Sequence, residues 1–227
     1  MVTDRTRARQ RLSKFLLRHG RVWRGGNAWT LTHERWLLGQ RFDEPALAAT
    51  YAHDRAVLDT RDAQLEAIQA DLAGWYDAPP FADAVHRLAA SRGITRLGAL
   101  TLASEVGDWR RFAQAAAFAG FCGLVPSELL QRQLDPAGHS TTAGNAHLRA
   151  QLARVGLVYQ HRPGVGVDLR ARQQGLDPTV VARAWAAQLG LCGRFQRLAA
   201  RKDSKNVVVT AIARELAGFL WAELLAA

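Results

Sequence analysis

The turn around Gly93 has the residue types that bind phosphate. Gly93 can adopt a positive φ angle, and Thr95 precedes a helical pattern whose first backbone N–H groups have no partner within the helix. Arg92 and Arg96 place one guanidinium on each side of this turn, where an anion is favoured. Short glycine motifs also occur by chance, so the alternative is an ordinary turn between two core helices. We treat these four residues as candidate nucleic-acid-binding residues.

Strand cleavage needs a hydroxyl nucleophile or grouped carboxylates, and the sequence offers weak candidates for each. Ser127 lies in a stretch with little periodicity, residues 122–143, and a loop there exposes its hydroxyl. Glu105 and Asp108 are three positions apart at the end of a helical pattern, a spacing that permits one divalent ion. Such a pair more often marks the end of one helix and the start of the next.

Several segments resemble the C-terminal domain of the IS110 family of insertion-sequence transposases (the IS116/IS902 type). The matching segments occur in family order and spacing, and they are Gly93-Ile94, Glu105 to Asp108, Arg111-Phe112, Gly123 to Glu128, Gly144-Asn145 and Leu148-Arg149. The similarity continues to Val207 through Ala217 and so covers most of the chain.

The resemblance implies an all-helical domain that binds DNA, with target choice attributed to an element-encoded RNA. The turn at Gly93 is similar to a helix-hairpin-helix phosphate turn in which Thr95 replaces the usual second glycine. Asn145 and Arg149 join the candidate binding residues through their matching segments, and Arg172 joins them as a later arginine of the basic C-terminal part. Contacts of this kind are made to the phosphate backbone and carry little sequence preference.

Two departures from the family concern catalysis. Family members carry, ahead of this region, a RuvC-like domain with four acidic ligands for divalent metal; the resemblance implies that this chain lacks it, so we expect no cofactor here. The family's serine loop aligns with Leu130, Gln131 and Arg132, whose side chains cannot attack a phosphodiester as a serine does. We therefore predict no catalytic residue, with Ser127 as a weak fallback.

The charge balance favours a polyanionic partner. The 227 residues carry a net charge of +10, supplied almost entirely by arginine, although a GC-rich genome also produces arginine-rich chains. Residues 1–42 carry +8, residues 43–90 carry −6 and residues 143–227 carry +7, so two basic ends flank an acidic segment.

The two cysteines, Cys122 and Cys192, are seventy positions apart and indicate neither a zinc site nor a disulfide framework, which fits a reducing cytoplasm. No uncharged apolar run reaches membrane-spanning length, so we expect no membrane partner and a cytoplasmic, nucleoid-associated protein.

Hydrophobic periodicity predicts an all-α fold in two regions, 1–76 and 77–227, separated by the break at Asp77-Ala78-Pro79-Pro80. The first region contains a helix at 3–19 and a helical hairpin or coiled coil. In the second region we predict helices at 81–90, 97–106, 110–120, 144–160, 177–198 and 205–225.

A heptad seam runs along the long helix predicted from residue 43 to residue 76. Its positions alternate spacings of four and three and are Leu47, Tyr51, Asp54, Leu58, Arg61, Leu65, Ile68, Leu72 and Trp75. Such a seam fits a hairpin with the first helices, and it fits equally a self-association coiled coil through residues 45–76, which the resemblance supports.

Together these observations predict a truncated transposase that binds DNA, with a structured RNA as a further partner, and that does not cut strands alone. One alternative is an active serine-dependent recombinase subunit that needs a partner's catalytic domain. Another is an assembly partner or regulator of a full-length transposase, acting through residues 45–76.

Overall fold

The computed structural model describes residues 1–124, 144–201 and 204–226, and the chain divides into two compact units, Met1–Leu72 and Ala73–Ala227. All regular elements in these residues are helical and none is a strand, which confirms the all-α prediction. Within the same residues, no helix combines the length and the low charge needed to cross a bilayer. The domain boundary predicted after residue 76 stays a prediction.

The first unit is built from three helices, α1 (Val2–Arg18), α2 (Leu31–Leu38) and α3 (Pro45–Ala73). Proline at the first position of α3 costs no hydrogen bond, because that N–H has no partner within a helix. Side chains from all three helices share one buried cluster, which consists of Ala8, Leu12, Leu16, Leu37 and Leu58.

Several residues of the α3 seam pack against other residues of the same chain. Asp54, Leu58 and Leu65 are buried, and Leu58 belongs to the cluster formed with α1 and α2. The hairpin alternative therefore accounts for the middle of the seam. Beyond Leu65 the seam position Ile68 is 39% exposed, and self-association stays a prediction.

Several arginines of α1 pair with acidic residues of α3, which links the basic and acidic segments of the sequence. Arg5 and Arg9 lie 3.7 Å and 3.8 Å from the Asp62 carboxylate, and the Arg9 guanidinium also lies over the Trp29 ring. Arg11 lies 4.0 Å from the buried Asp54. The basic charge that residues 1–42 carry in the sequence is thus partly neutralised in the fold.

In its described residues, the second unit contains seven further helices and one 3-10 turn (Trp109–Arg111). The helices are α4 (Ala82–Ala89), α5 (Arg96–Val106), α6 (Ala115–Phe121), α7 (Ala146–Val158), α8 (Val167–Gln173), α9 (Pro178–Ala199) and α10 (Lys205–Leu225). The apolar α10 packs against α4, α6, α7 and α9, and it buries Val208, Ile212, Leu216 and Leu220.

A buried ion cluster fixes α4 to the last helix. The Glu223 carboxylate accepts hydrogen bonds from Arg87 Nε at 3.1 Å and from Arg183 Nε at 2.6 Å. Arg87 also donates to the backbone carbonyls of Glu223 and Ala226. This cluster holds the helix that leads into the Gly93 turn.

The helix predicted at 110–120 begins too early, because the chain breaks at Phe112 and α6 begins only at Ala115. Asp108 accepts a hydrogen bond from the Arg110 backbone N–H and starts a 3-10 turn, after which Phe112 has an extended backbone (φ −98°, ψ 108°). That conformation lets the Phe112 ring pack against Phe118 and its carbonyl accept from Trp221 Nε1 at 3.1 Å. Tertiary packing overrides the local helical propensity here.

Candidate nucleic-acid interface

The turn between α4 and α5 requires glycine at position 93 for two reasons. Gly93 has a φ of +84°, a backbone conformation that side chains disfavour. A Cβ atom at this position would also lie 3.0 Å from Val155 Cγ1 and 3.3 Å from Val158 Cγ2 on α7. The sequence predicted the positive φ, whereas the close approach to α7 follows from the fold alone.

Thr95 caps α5 and leaves two backbone donors facing outward. Its Oγ1 accepts the Gly98 N–H at 3.0 Å, and its carbonyl accepts the Ala99 N–H at 2.8 Å. Within the described residues, the N–H groups of Arg96 and Leu97 have no acceptor. These donors and the positive end of the helix dipole favour an anion at this position.

Three of the predicted arginines surround this turn, and each has a different environment. Arg96 is exposed and lies 3.8 Å from Asp77, a weak surface pair. Arg92 is half-buried and donates from Nη1 to the Arg162 carbonyl at 2.7 Å. Arg172 is half-buried and donates from Nε to the Ala89 carbonyl at 3.0 Å, so it caps the C-terminal end of α4.

The Arg172 guanidinium lies near both a carboxylate, Asp168, and a second guanidinium, Arg96. Burial lowers the pKa of the Arg172 guanidinium, the Asp168 carboxylate partly offsets this effect, and the Arg96 charge lowers the pKa further. Two guanidinium groups therefore lie near each other beside the turn, and the Asp168 carboxylate opposes the effects of burial and of Arg96 on the Arg172 pKa.

An open cleft of about 600 Å³ lies against the turn. It is lined on one side by Arg92, Gly93 and Thr95 and on the other by residues 164–169 and Arg172. The sequence analysis missed the second wall. Its available signal was the run Pro163-Gly164-Val165-Gly166, a sequence typical of a loop that exposes its backbone.

The remaining two predicted binding residues lie at the other end of the α5–α7 pair. The Gln151 side-chain amide donates to the Gly98 carbonyl at 2.7 Å, and the Asn145 amide donates to the Glu105 carboxylate at 2.7 Å, so α5 and α7 run antiparallel. The fold therefore separates Asn145 and Arg149 from Gly93 by much of the length of α7.

Both ends of the Asn145 side chain are already used. Its Oδ1 accepts the backbone N–H groups of His147 and Leu148 at 3.0 Å and 3.1 Å and caps α7, while its amide binds Glu105. Arg149, one turn further along α7, is half-buried and also has a partner. These contacts indicate a positioning role for Asn145 in the helix pair.

Only some of the catalytic candidates lie in the residues that the structure describes. Ser127 and the positions of the family serine loop, Leu130, Gln131 and Arg132, lie outside the described residues. Glu105 binds Asn145, and Asp108 caps the 3-10 turn. In the parts of the chain that the structure describes, no three His, Cys, Asp or Glu residues are grouped to hold a metal ion.

Comparison with known proteins shows that the chain is similar to insertion-sequence transposases. Residues 85–166 match the model described as Transposase IS116/IS110/IS902 family. The chain is 36% identical over 214 residues to a putative transposase, y4qE, of Sinorhizobium fredii (strain NBRC 101917 / NGR234), an alignment covering 94% of this chain and 52% of that protein. It is 27% identical over 203 residues to the transposase for insertion sequence element IS1533 of Leptospira borgpetersenii, covering 86% of this chain and 57% of that protein. The chain thus spans about half the length of these relatives.

Proposed function

The chain belongs to the IS116/IS110/IS902 family of insertion-sequence transposases, and on this basis we propose that it binds DNA through the cleft beside Gly93. The observation that carries the proposal is the grouping of five candidate residues at one turn, Arg92, Gly93, Thr95, Arg96 and Arg172. Free N–H groups at the start of α5 and three guanidinium groups there form a site for one backbone phosphate.

We propose further that this site binds DNA without cutting it. The two carboxylates that follow the turn in the sequence are already engaged, Glu105 with Asn145 and Asp108 with the Arg110 backbone N–H. The Thr95 hydroxyl accepts the Gly98 N–H as a helix cap, and among the described residues no histidine or carboxylate binds it as a general base would. Incubation with supercoiled plasmid and Mg²⁺ should leave the plasmid intact; appearance of nicked product contradicts this part of the proposal.

Binding is tested with the full chain and a fluorescein-labelled duplex of about 30 base pairs. We expect fluorescence anisotropy to detect binding at low salt. The affinity should fall steeply as the KCl concentration is raised, because binding releases counterions from the DNA. Replacing the exposed Arg96 by alanine should weaken binding about fivefold and reduce the salt slope by about 1, since one phosphate contact is lost.

The matched control is Arg110→Ala, which removes the same charge from an exposed residue beyond the far end of α5. It should change the affinity less than twofold. Equal losses in Arg96→Ala and Arg110→Ala would show that net charge, and not the Gly93 cleft, determines binding. Absence of salt-dependent affinity in the wild type would contradict the whole proposal.

A second candidate role is association of chains through the end of α3. Ile68 continues the apolar seam but is 39% exposed, whereas Leu65 one step before it is 8% exposed. An apolar seam residue that its own chain leaves uncovered favours a second helix as its partner. Light scattering on the wild type and on Ile68→Glu tests this role: the variant should have the lower molar mass, and identical monomeric masses contradict it.

A further inference from the structure

Arg111, the last residue of the 3-10 turn, is held by two aromatic rings. Its Cζ atom lies 4.7 Å from the Phe112 ring centroid and 4.6 Å from the Phe121 ring centroid. The two centroids are themselves 5.4 Å apart, so the two rings form one aromatic corner beside the guanidinium. The residue is nevertheless exposed to solvent.

The rings that hold Arg111 are themselves fixed. Phe112 is buried, and its carbonyl accepts a hydrogen bond from Trp221 Nε1 at 3.1 Å. Phe118, which is fully buried, packs against the Phe112 ring at 5.4 Å between centroids. Arg111 is therefore ordered by cation–π contacts to the protein core, without a hydrogen bond that would use its donors.

None of the described residues neutralises the Arg111 charge. Among the described residues, none of its guanidinium N–H groups has an acceptor and no carboxylate lies within 4.0 Å. By contrast, Arg87 and Arg183 bind Glu223, and Arg194 lies 2.9 Å from Glu215. Arg111 thus combines a fixed position with a full set of unused donors.

We propose that Arg111 is a second contact for a DNA backbone phosphate, an inference that rests on the proposed DNA binding. The guanidinium is a planar fork, and its in-plane edges match two phosphate oxygens in a bidentate pair. The two ring contacts restrict the orientation of this fork, and its exposure leaves donors accessible to a phosphate. A lysine has the same charge but no flat surface for the rings to hold.

The second contact lies at the far end of α5 from the Gly93 cleft. Phe121, which holds Arg111, accepts the Asn145 backbone N–H at 2.8 Å, and Asn145 begins α7 beside the end of α5. The 11 residues of α5 span about 16 Å, which corresponds to about five base pairs measured along the axis of a duplex. At this distance the two contacts act independently, so their losses should multiply in a double variant.

Anisotropy titrations of full-chain variants with the same labelled duplex test this proposal. Arg111→Ala should weaken binding about five- to tenfold and lower the salt slope by about 1. Arg111→Lys should recover less than half of that loss on a logarithmic scale. The adjacent Arg110→Ala is the matched control, because it removes an exposed arginine without ring contacts, and it should change affinity less than twofold.

Two results separate this inference from the proposed function. If Arg96→Ala weakens binding while Arg111→Ala does not, the cleft stands and the Arg111 contact is overturned; full recovery by Arg111→Lys overturns the role of the rings. Should Arg111→Ala lower the melting temperature, phenylglyoxal modification of the wild type provides the measurement. DNA should slow the modification of Arg111 that is detected by mass spectrometry, and an unchanged rate overturns the contact.

Discussion

Replacing Gly93 by alanine tests whether the fold demands glycine at the centre of the candidate site. A φ of +84° costs a side-chain-bearing residue about 1–2 kcal/mol. The added Cβ would approach Val155 Cγ1 to 3.0 Å, and Val155 is only 6% exposed, so it cannot move aside into solvent. Overpacking of this kind costs about 1–3 kcal/mol. We therefore expect Gly93→Ala to reduce the free energy of unfolding by about 2–5 kcal/mol.

Gly175 provides the matched control in the same unit. Its φ is +78°, nearly that of Gly93, but no atom lies within 4 Å of the position that a Cβ would occupy there. Gly175→Ala should cost about 1–2 kcal/mol, the backbone contribution alone. Urea unfolding followed by circular dichroism measures both variants. Equal destabilisation would refute the argument that α7 crowds the turn, and adding Val155→Ala should restore part of the Gly93→Ala loss if the argument is correct.

Three further predictions concern the cores of the two units. Burial lowers the pKa of His33, whose Nδ1 accepts the Trp29 N–H at 3.1 Å. The unfolded chain therefore takes up a proton near pH 6.5 that the folded chain does not, and the free energy of unfolding should fall as the pH drops through about 6.5. Urea midpoints measured at about pH 5.5 and 7.5 check this prediction. Leu58→Glu should unfold the first unit, because this leucine is 1% exposed, whereas Ile68→Glu should change its stability by less than about 1 kcal/mol in thermal melts. Burial raises the pKa of the Cys122 thiol to about 12, so iodoacetamide at about pH 8 should label it only after denaturation.

The sequence predicted best those helices whose ends are encoded locally. Asp177 and Pro178 mark the start of α9, and in the structure the Asp177 carboxylate accepts the Thr179 N–H at 2.7 Å. The predicted helix at 205–225 agrees with α10 (Lys205–Leu225), because its apolar residues recur at helical spacing. The short helix α8 was not predicted, since seven residues beside a glycine-rich run give too little periodicity.

Pairings between distant segments could not be read from the sequence. The arginines of α1 formed a basic run in the sequence, and only the hairpin shows that Arg5, Arg9 and Arg11 face carboxylates of α3. Likewise Arg111 stood in the sequence as one of two adjacent arginines. Arg111 differs from Arg110 because the fold brings the ring of Phe121, ten positions away in the sequence, to 4.6 Å from the Arg111 Cζ atom.

The antiparallel packing of α5 and α7 changes how the candidate residues relate to one duplex. In the proposed complex, a single phosphate contact at the Gly93 turn would leave DNA free to rotate about that contact. The proposed second contact at Arg111, about 16 Å away at the opposite end of α5, would restrict this rotation. Glu105 and Asn145 then matter because their 2.7 Å hydrogen bond keeps the far ends of α5 and α7 together. We therefore propose that the helix pair, held at this end by the Glu105–Asn145 hydrogen bond, sets the distance between the two proposed phosphate contacts.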